Sequence, residues 1–238
     1  MDIPSSLAIV SLAALIHASF QLSVSVLTLL SGHAIGSKHS HARLLRLTTG
    51  FVFGAGIMTV LLLSFISLVL LHVFGTNTPD VVWSMACGLL VGIAISVWTL
   101  YYRRNEKGTK LWIPRGVADY LTERTKSTKL SAEAFGLGLS SVTGEILFII
   151  APLIMTALVL IQLPPMWQLI GIGVYTIISM LSLIIVWALI GSGHSLGKIQ
   201  KWRESNKYFL QFAAGSGLVV LGFFVFVVKV LGSTAGFN

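Results

Sequence analysis

Long apolar runs separated by short polar stretches dominate this chain. Crossing the hydrocarbon core of a bilayer takes about 20 apolar residues in a helix. Six runs meet that length: 7–31, 47–74, 82–102, 134–161, 167–191 and 208–231. The pattern predicts an all-α polytopic membrane protein with six transmembrane helices and the lipid bilayer as its first partner. The first run has no basic stretch before it, is longer than a signal-peptide core, and is followed by no A-x-A site, so it reads as a retained span.

Charge adds the topology. Of 16 Lys and Arg residues, 15 fall in the 31–46, 103–133 and 192–207 segments, whereas the 75–81 and 162–166 loops hold none. Basic loops stay on the cytoplasmic side. The expected localisation is therefore the plasma membrane, multi-pass, with basic loops cytoplasmic and both termini outside. The sixteenth, Lys229, lies near the outer end of the last span, where it can snorkel to the interface. The chain is 55% hydrophobic and 10% charged, with a mean hydropathy of +0.89; soluble domains carry about 25% charged residues. The net charge of +8 thus reads as topology and calls for no nucleic acid. One cysteine, Cys87, allows no intrachain disulfide and no paired-thiol chemistry, and no cofactor motif is present.

The 103–133 segment divides the chain into a first three-helix unit, 1–102, and a second, 134–238. Three spans per unit gives the two units opposite orientation, an inverted repeat. A shift of 124 residues lays Ala18-Ser19-Phe20-Gln21 on Val142-Thr143-Gly144-Glu145. A smaller shift brings Gly54-Ala55-Gly56 onto Gly171-Ile172-Gly173. Gly50, Gly54, Gly88 and Gly92 have the GxxxG spacing that lets membrane helices approach closely. Within the linker, Pro114 can open a short helix that shares Ile113, Val117, Tyr120 and Leu121 on one face. That segment is either an interfacial helix on the inner leaflet or a solvated linker.

Candidate chemistry centres on Glu145, the one acidic residue inside an apolar run. A carboxyl at bilayer depth is costly unless it faces a bundle interior or a wet cavity, so it marks a functional site by default. Ser141 lies one turn before it, Thr143 and Gly144 adjoin it, and Gly144 leaves room for a neighbour or ligand. Pro152 frees the Phe148 carbonyl and should kink the helix there, as a ligand contact or as a packing kink. In span one, His17, Gln21, Ser25 and Thr28 fall at helical spacing and form one polar stripe, with Gln21 the repeat counterpart of Glu145. Spans one and four are expected to meet at the midplane, with Gln21 hydrogen-bonded to Glu145. The alternative for the stripe is interhelical polar glue. A carboxyl that is neutral in one state and charged in another can couple proton movement to solute movement. His33, His39 and His41 could touch a metal, but their loop is basic and lacks Cys and carboxylates, so a solvated loop is the plainer reading.

The layout resembles the lysine-exporter (LysE/RhtB-like) superfamily of six-span transporters. The resemblance lies in Gly32-His33-Ala34-Ile35-Gly36 followed by Thr49-Gly50-Phe51-Val52-Phe53-Gly54, in Ala134-Phe135-Gly136-Leu137-Gly138-Leu139, and in Lys201-Trp202-Arg203 before Gly215-Ser216-Gly217-Leu218-Val219-Val220-Leu221-Gly222. It implies gradient-driven export of amino acids, other small solutes or metal ions. Two family elements are replaced: Gln21 and Ser23 stand where span one has a proline-rich PGP motif, and Val142-Thr143-Gly144-Glu145 where span four begins with an NPK-like one.

The leading expectation is a secondary transporter, a proton-coupled exporter of a small organic solute, acting alone or as a homo-oligomer. A divalent cation fits less well, because hard cations want several oxygen ligands. A non-transporting accessory or assembly protein is the main alternative. An enzyme is not expected. An intramembrane serine protease needs a GxSG serine, and the nearest string is Ala213-Ala214-Gly215-Ser216-Gly217, with His194 in a loop and His72 at a span end.

Overall fold

A computed structural model of the chain describes residues 2–20, 22–36, 41–100, 102–105, 108–111, 115–192, 201–202 and 205–232. The described residues form helices α1 (Ile3–Ser19), α2 (Leu22–Gly36), α3 (His41–Phe74), α4 (Asp80–Leu100), α5 (Arg115–Ser127), α6 (Ser131–Gly144), α7 (Ile146–Leu160), α8 (Pro165–Ser179), α9 (Leu181–Gly191) and α10 (Lys207–Val225). The last runs on into a π-helical segment, Phe226–Leu231.

Three helical stretches, Ala42–Phe74, Asp80–Thr99 and Tyr208–Leu231, are long and apolar enough to cross a membrane unaided. Three further apolar stretches are bent pairs: α1 with α2 at 46°, α6 with α7 at 79°, and α8 with α9 at 52°. The members of these pairs have 17 and 15, 14 and 15, and 15 and 11 residues. None alone reaches the length a bilayer demands. The runs 7–31, 134–161 and 167–191, each expected as one helix, are thus each broken near the middle.

The breaks have local causes. Phe20 is extended, with ψ at 147°, and ends α1. Glu145 (φ −86°, ψ −4°) and Met180 (φ −89°, ψ −1°) both take the bridge conformation between helix and turn. At Glu145 the amide bonds back to Val142 while the carbonyl accepts from Phe148. The helix therefore tightens for one turn and leaves in a new direction. Pro152 does not make the bend. It lies buried inside α7, seven residues beyond the break.

Packing directions follow from who faces whom. Leu7 and Gly171, His17 and Tyr175, and Ala18 and Ser182 meet in the same order along both stretches, so α1 runs parallel to α8–α9. Gly50 faces Ser131 and Gly54 faces Phe135, so α3 and α6 are parallel too. Cys87 faces Gly222 and Trp98 faces Gly215, so α4 and α10 are antiparallel. These senses are those of a chain whose successive spans alternate in direction.

α3 and α6 touch backbone to backbone. A methyl at Gly54 would strike the Phe135 carbonyl, and one at Gly138 the Phe51 carbonyl. The GxxxG expectation holds for Gly50 and Gly54 only: Gly88 and Gly92 face open space on α4. α7 is the buried centre, with Ile149, Leu153, Met155 and Leu158 wholly covered. α3, α4 and α10 turn Phe53, Phe65, Leu68, Met85, Phe212 and Phe223 outward, each more than half exposed. That much outward apolar surface suits lipid, where helices satisfy their own backbone hydrogen bonds.

The 103–133 segment contains an antiparallel hairpin, Tyr102–Asn105 with Gly108–Leu111, an element that the linker reading does not anticipate. α5 follows, with Ile113 and Pro114 outside the described residues. Its inner face is Leu121 and Thr125, with Val117 partly covered, and it packs on α2 and α6. Tyr120, expected beside Leu121, is half exposed. Lys229 donates to the Gln162 side chain and lies 5.1 Å over the Trp83 ring.

Candidate functional site

The three breaks meet. Phe20 and Ser23 from the first, Val142 and Glu145 from the second, and Ser179, Met180, Ser182 and Leu183 from the third line one pocket. His17 and Ala18 of α1, Val24 of α2, and Ala55 and Thr59 of α3 complete the wall. Its free space holds about one water molecule, so an organic solute needs a wider state of the same site.

Glu145 is 5% exposed. Its carboxylate accepts a 2.7 Å hydrogen bond from the Ser23 backbone N–H. That amide belongs to the first turn of α2, where helical N–H groups lack partners within the helix. The carboxylate also sits at the positive end of the α2 dipole. Position and partner therefore explain how a carboxyl is held at this depth.

Other bonds tie the breaks together. The Ser182 hydroxyl, at the start of α9, donates to the Ala18 carbonyl, which the end of α1 frees. His17 is buried, with Nδ1 3.0 Å from the Tyr175 hydroxyl of α8. Phe20, in the pocket wall, stacks on Phe148 of α7 at 5.7 Å between centroids. The Thr59 and Ser179 hydroxyls donate to carbonyls of their own helices. The Ser23 hydroxyl is 4% exposed as a residue and has no hydrogen-bond partner.

Of the residues singled out in the sequence, Glu145 and His17 line the pocket. Gln21 lies outside the described residues, as does His39; His33 and His41 are described in backbone only. Ser141 is fully buried, but its hydroxyl turns back to the Gly138 carbonyl of its own helix. Thr143 is exposed and bonds to Leu139. Gly144 ends α6 at the break. Pro152 is buried in α7 and is not part of the pocket wall. The expected stripe from His17 to Thr28 is not one helix face, because the helix stops at Ser19 and restarts at Leu22. Thr28 donates to the Ser25 carbonyl.

The sequence reading missed Tyr175, Ser179, Ser182 and Ser23 as site residues. A signal existed for two of the serines: Ser179 and Ser182 stand near the middle of a largely apolar run. Tyr175 carried none, since a tyrosine in an apolar span is ordinary.

No family model, curated protein or solved structure matches the chain.

Proposed function

We propose that this chain is an integral-membrane secondary transporter, a proton-coupled exporter of a small solute, with Glu145 as its coupling residue. One observation carries the reading: three broken helices converge on a pocket that holds a buried carboxylate. Discontinuous helices place unpaired backbone groups and helix ends around a solute at mid-membrane. Irregular backbone at that depth is tolerated where protein or a cavity surrounds it.

Each bent pair then counts as one span, making six. The alternating packing senses support that number. Phe20, which ends α1, and Gly144, which ends α6, are 124 residues apart, the shift that aligns the two units in sequence, which supports the inverted repeat. So does packing, since the first and fifth spans pair in parallel as the fourth and second do. Symmetry is incomplete: the fifth span is broken at Met180, whereas its counterpart α3 runs unbroken. The basic loops and α5, with Arg124 and Lys126 in its last turn, would lie on the cytoplasmic side. The resemblance noted in the sequence supports export.

The test is counterflow in proteoliposomes with an imposed pH gradient, over amino acids, short organic acids, other small organic solutes and divalent ions. The reading expects a pH-driven flux of one class, absent from protein-free liposomes. No flux for any class, together with co-purification of a second chain, would favour an accessory protein instead.

A further inference from the structure

We propose that the N-terminus of α2 is a binding site for a small monoanion, which Glu145 occupies in this structure and yields on taking up a proton. The inference rests on the transporter reading of the same pocket and names its substrate class.

The donors at this site are suited to an anion. The Ser23 N–H points at an oxygen of Glu145, 2.7 Å away. Ser23 lines the pocket and is almost wholly buried, and its hydroxyl has no hydrogen-bond partner. A buried hydroxyl without a partner is uncommon and asks for a missing one. Here it stands beside a helix-terminal amide, at the positive end of a 15-residue helix. A cation would be repelled by that end. A halide or a short monocarboxylate would accept from both donors.

Glu145 is the internal stand-in for that ligand. While it is ionised, it fills the α2 terminus and an external anion is kept out by like charge. A proton taken up from water neutralises the carboxyl, which releases the Ser23 amide, and the anion replaces it. The site holds one negative charge before and after, so neither state adds an uncompensated charge at membrane depth. Anion and proton then travel in the same direction, and the empty site returns with Glu145 ionised. An exporter built this way discharges a weak acid together with its proton.

A pH response at this pocket can also come from the other ionisable groups around it. Among the described residues lining the pocket, His17 is the one besides Glu145. Tyr175 of α8 stands behind His17. α2, α3, α6 and α9 contribute only apolar and hydroxyl side chains to the wall.

The experiment is titration calorimetry of the purified full chain in nanodiscs with sodium chloride, formate and acetate, and with glycine as a zwitterionic control. Runs in two buffers of different ionisation heat count the protons taken up. We expect one proton per anion and an affinity that rises about tenfold per pH unit of acidification while Glu145 is ionised. Glu145→Gln should bind the same anion with no proton uptake and no pH dependence. Ser23→Ala should weaken binding about tenfold, the loss of one hydrogen bond to a charged group, and Ser23→Thr should restore it. Proton uptake that persists in Glu145→Gln would overturn the proposal in favour of His17. Failure of every anion to bind would overturn it as well. If pH-driven flux of another solute class survives that failure, the transporter reading stands without the anion site. If anions bind with proton uptake but no solute crosses, the anion site stands and the transporter reading falls.

Discussion

Glu145→Gln is expected to cut pH-driven solute flux about tenfold or more while the protein stays folded. Glutamine keeps the shape and an oxygen that can accept from the Ser23 N–H, now 2.7 Å from the carboxylate. It loses only the ability to change charge. Driven flux needs that change; exchange of solute for solute does not, and should fall much less. Glu145→Leu makes the contrast. It strands the Ser23 amide, already beside an unpartnered hydroxyl, and a buried donor without a partner costs about 1–3 kcal/mol. The leucine variant should therefore lose stability as well as coupling. Flux under an imposed pH gradient, exchange at equal pH and thermal melting in detergent separate the three effects. If the glutamine variant keeps full driven flux, Glu145 is structural.

The second large effect lies away from the pocket, at the contact between α3 and α6. Gly54→Ala puts a methyl against the Phe135 carbonyl, and Gly138→Ala puts one against the Phe51 carbonyl. Neither neighbour is a flexible side chain, so the helices must separate. Overpacking of this kind costs about 1–3 kcal/mol, or roughly 3–10 °C in Tm for a chain of this size. α6 also carries Val142 of the pocket and ends at the Glu145 break. The shift should thus reduce transport too. Gly88→Ala, where nothing lies within 4 Å, is the matched control and should melt within about 1–2 °C of wild type. Equal melting of Gly54→Ala and Gly88→Ala would contradict the packing described.

Much of this could be read from the chain, for physical reasons. Span lengths follow from hydropathy, and Glu145 stands out because a carboxyl at depth is costly. Two positions that align under the 124-residue shift, Phe20 and Gly144, fall at helix ends, and Glu145 stands at the break itself. Hydropathy could not reveal the breaks, because α7 and α9 remain as apolar as an intact span. Glu145 and Met180 leave the helix without a proline or a following glycine to announce it. The one proline inside these spans, Pro152, does not mark the break: it lies within α7, seven residues beyond it. The stripe from His17 to Thr28 assumed continuous helical spacing, and the extended residue Phe20 cancels that assumption. The partner of His17 is 158 residues away on α8. Periodicity within one helix carries no information about such a neighbour.

The most direct test of the central claim asks whether the pocket opens to both sides of the membrane. Cys87 is the one native cysteine, so Cys87→Ser provides a thiol-free background in which Ser23→Cys reports on the pocket. The measurement is labelling of that cysteine by a membrane-impermeant thiol reagent in right-side-out and in inside-out vesicles. The account predicts labelling from both sides, because the site that Ser23 shares with Glu145 alternates between them. A cysteine labelled from one side only, or from neither, would contradict it.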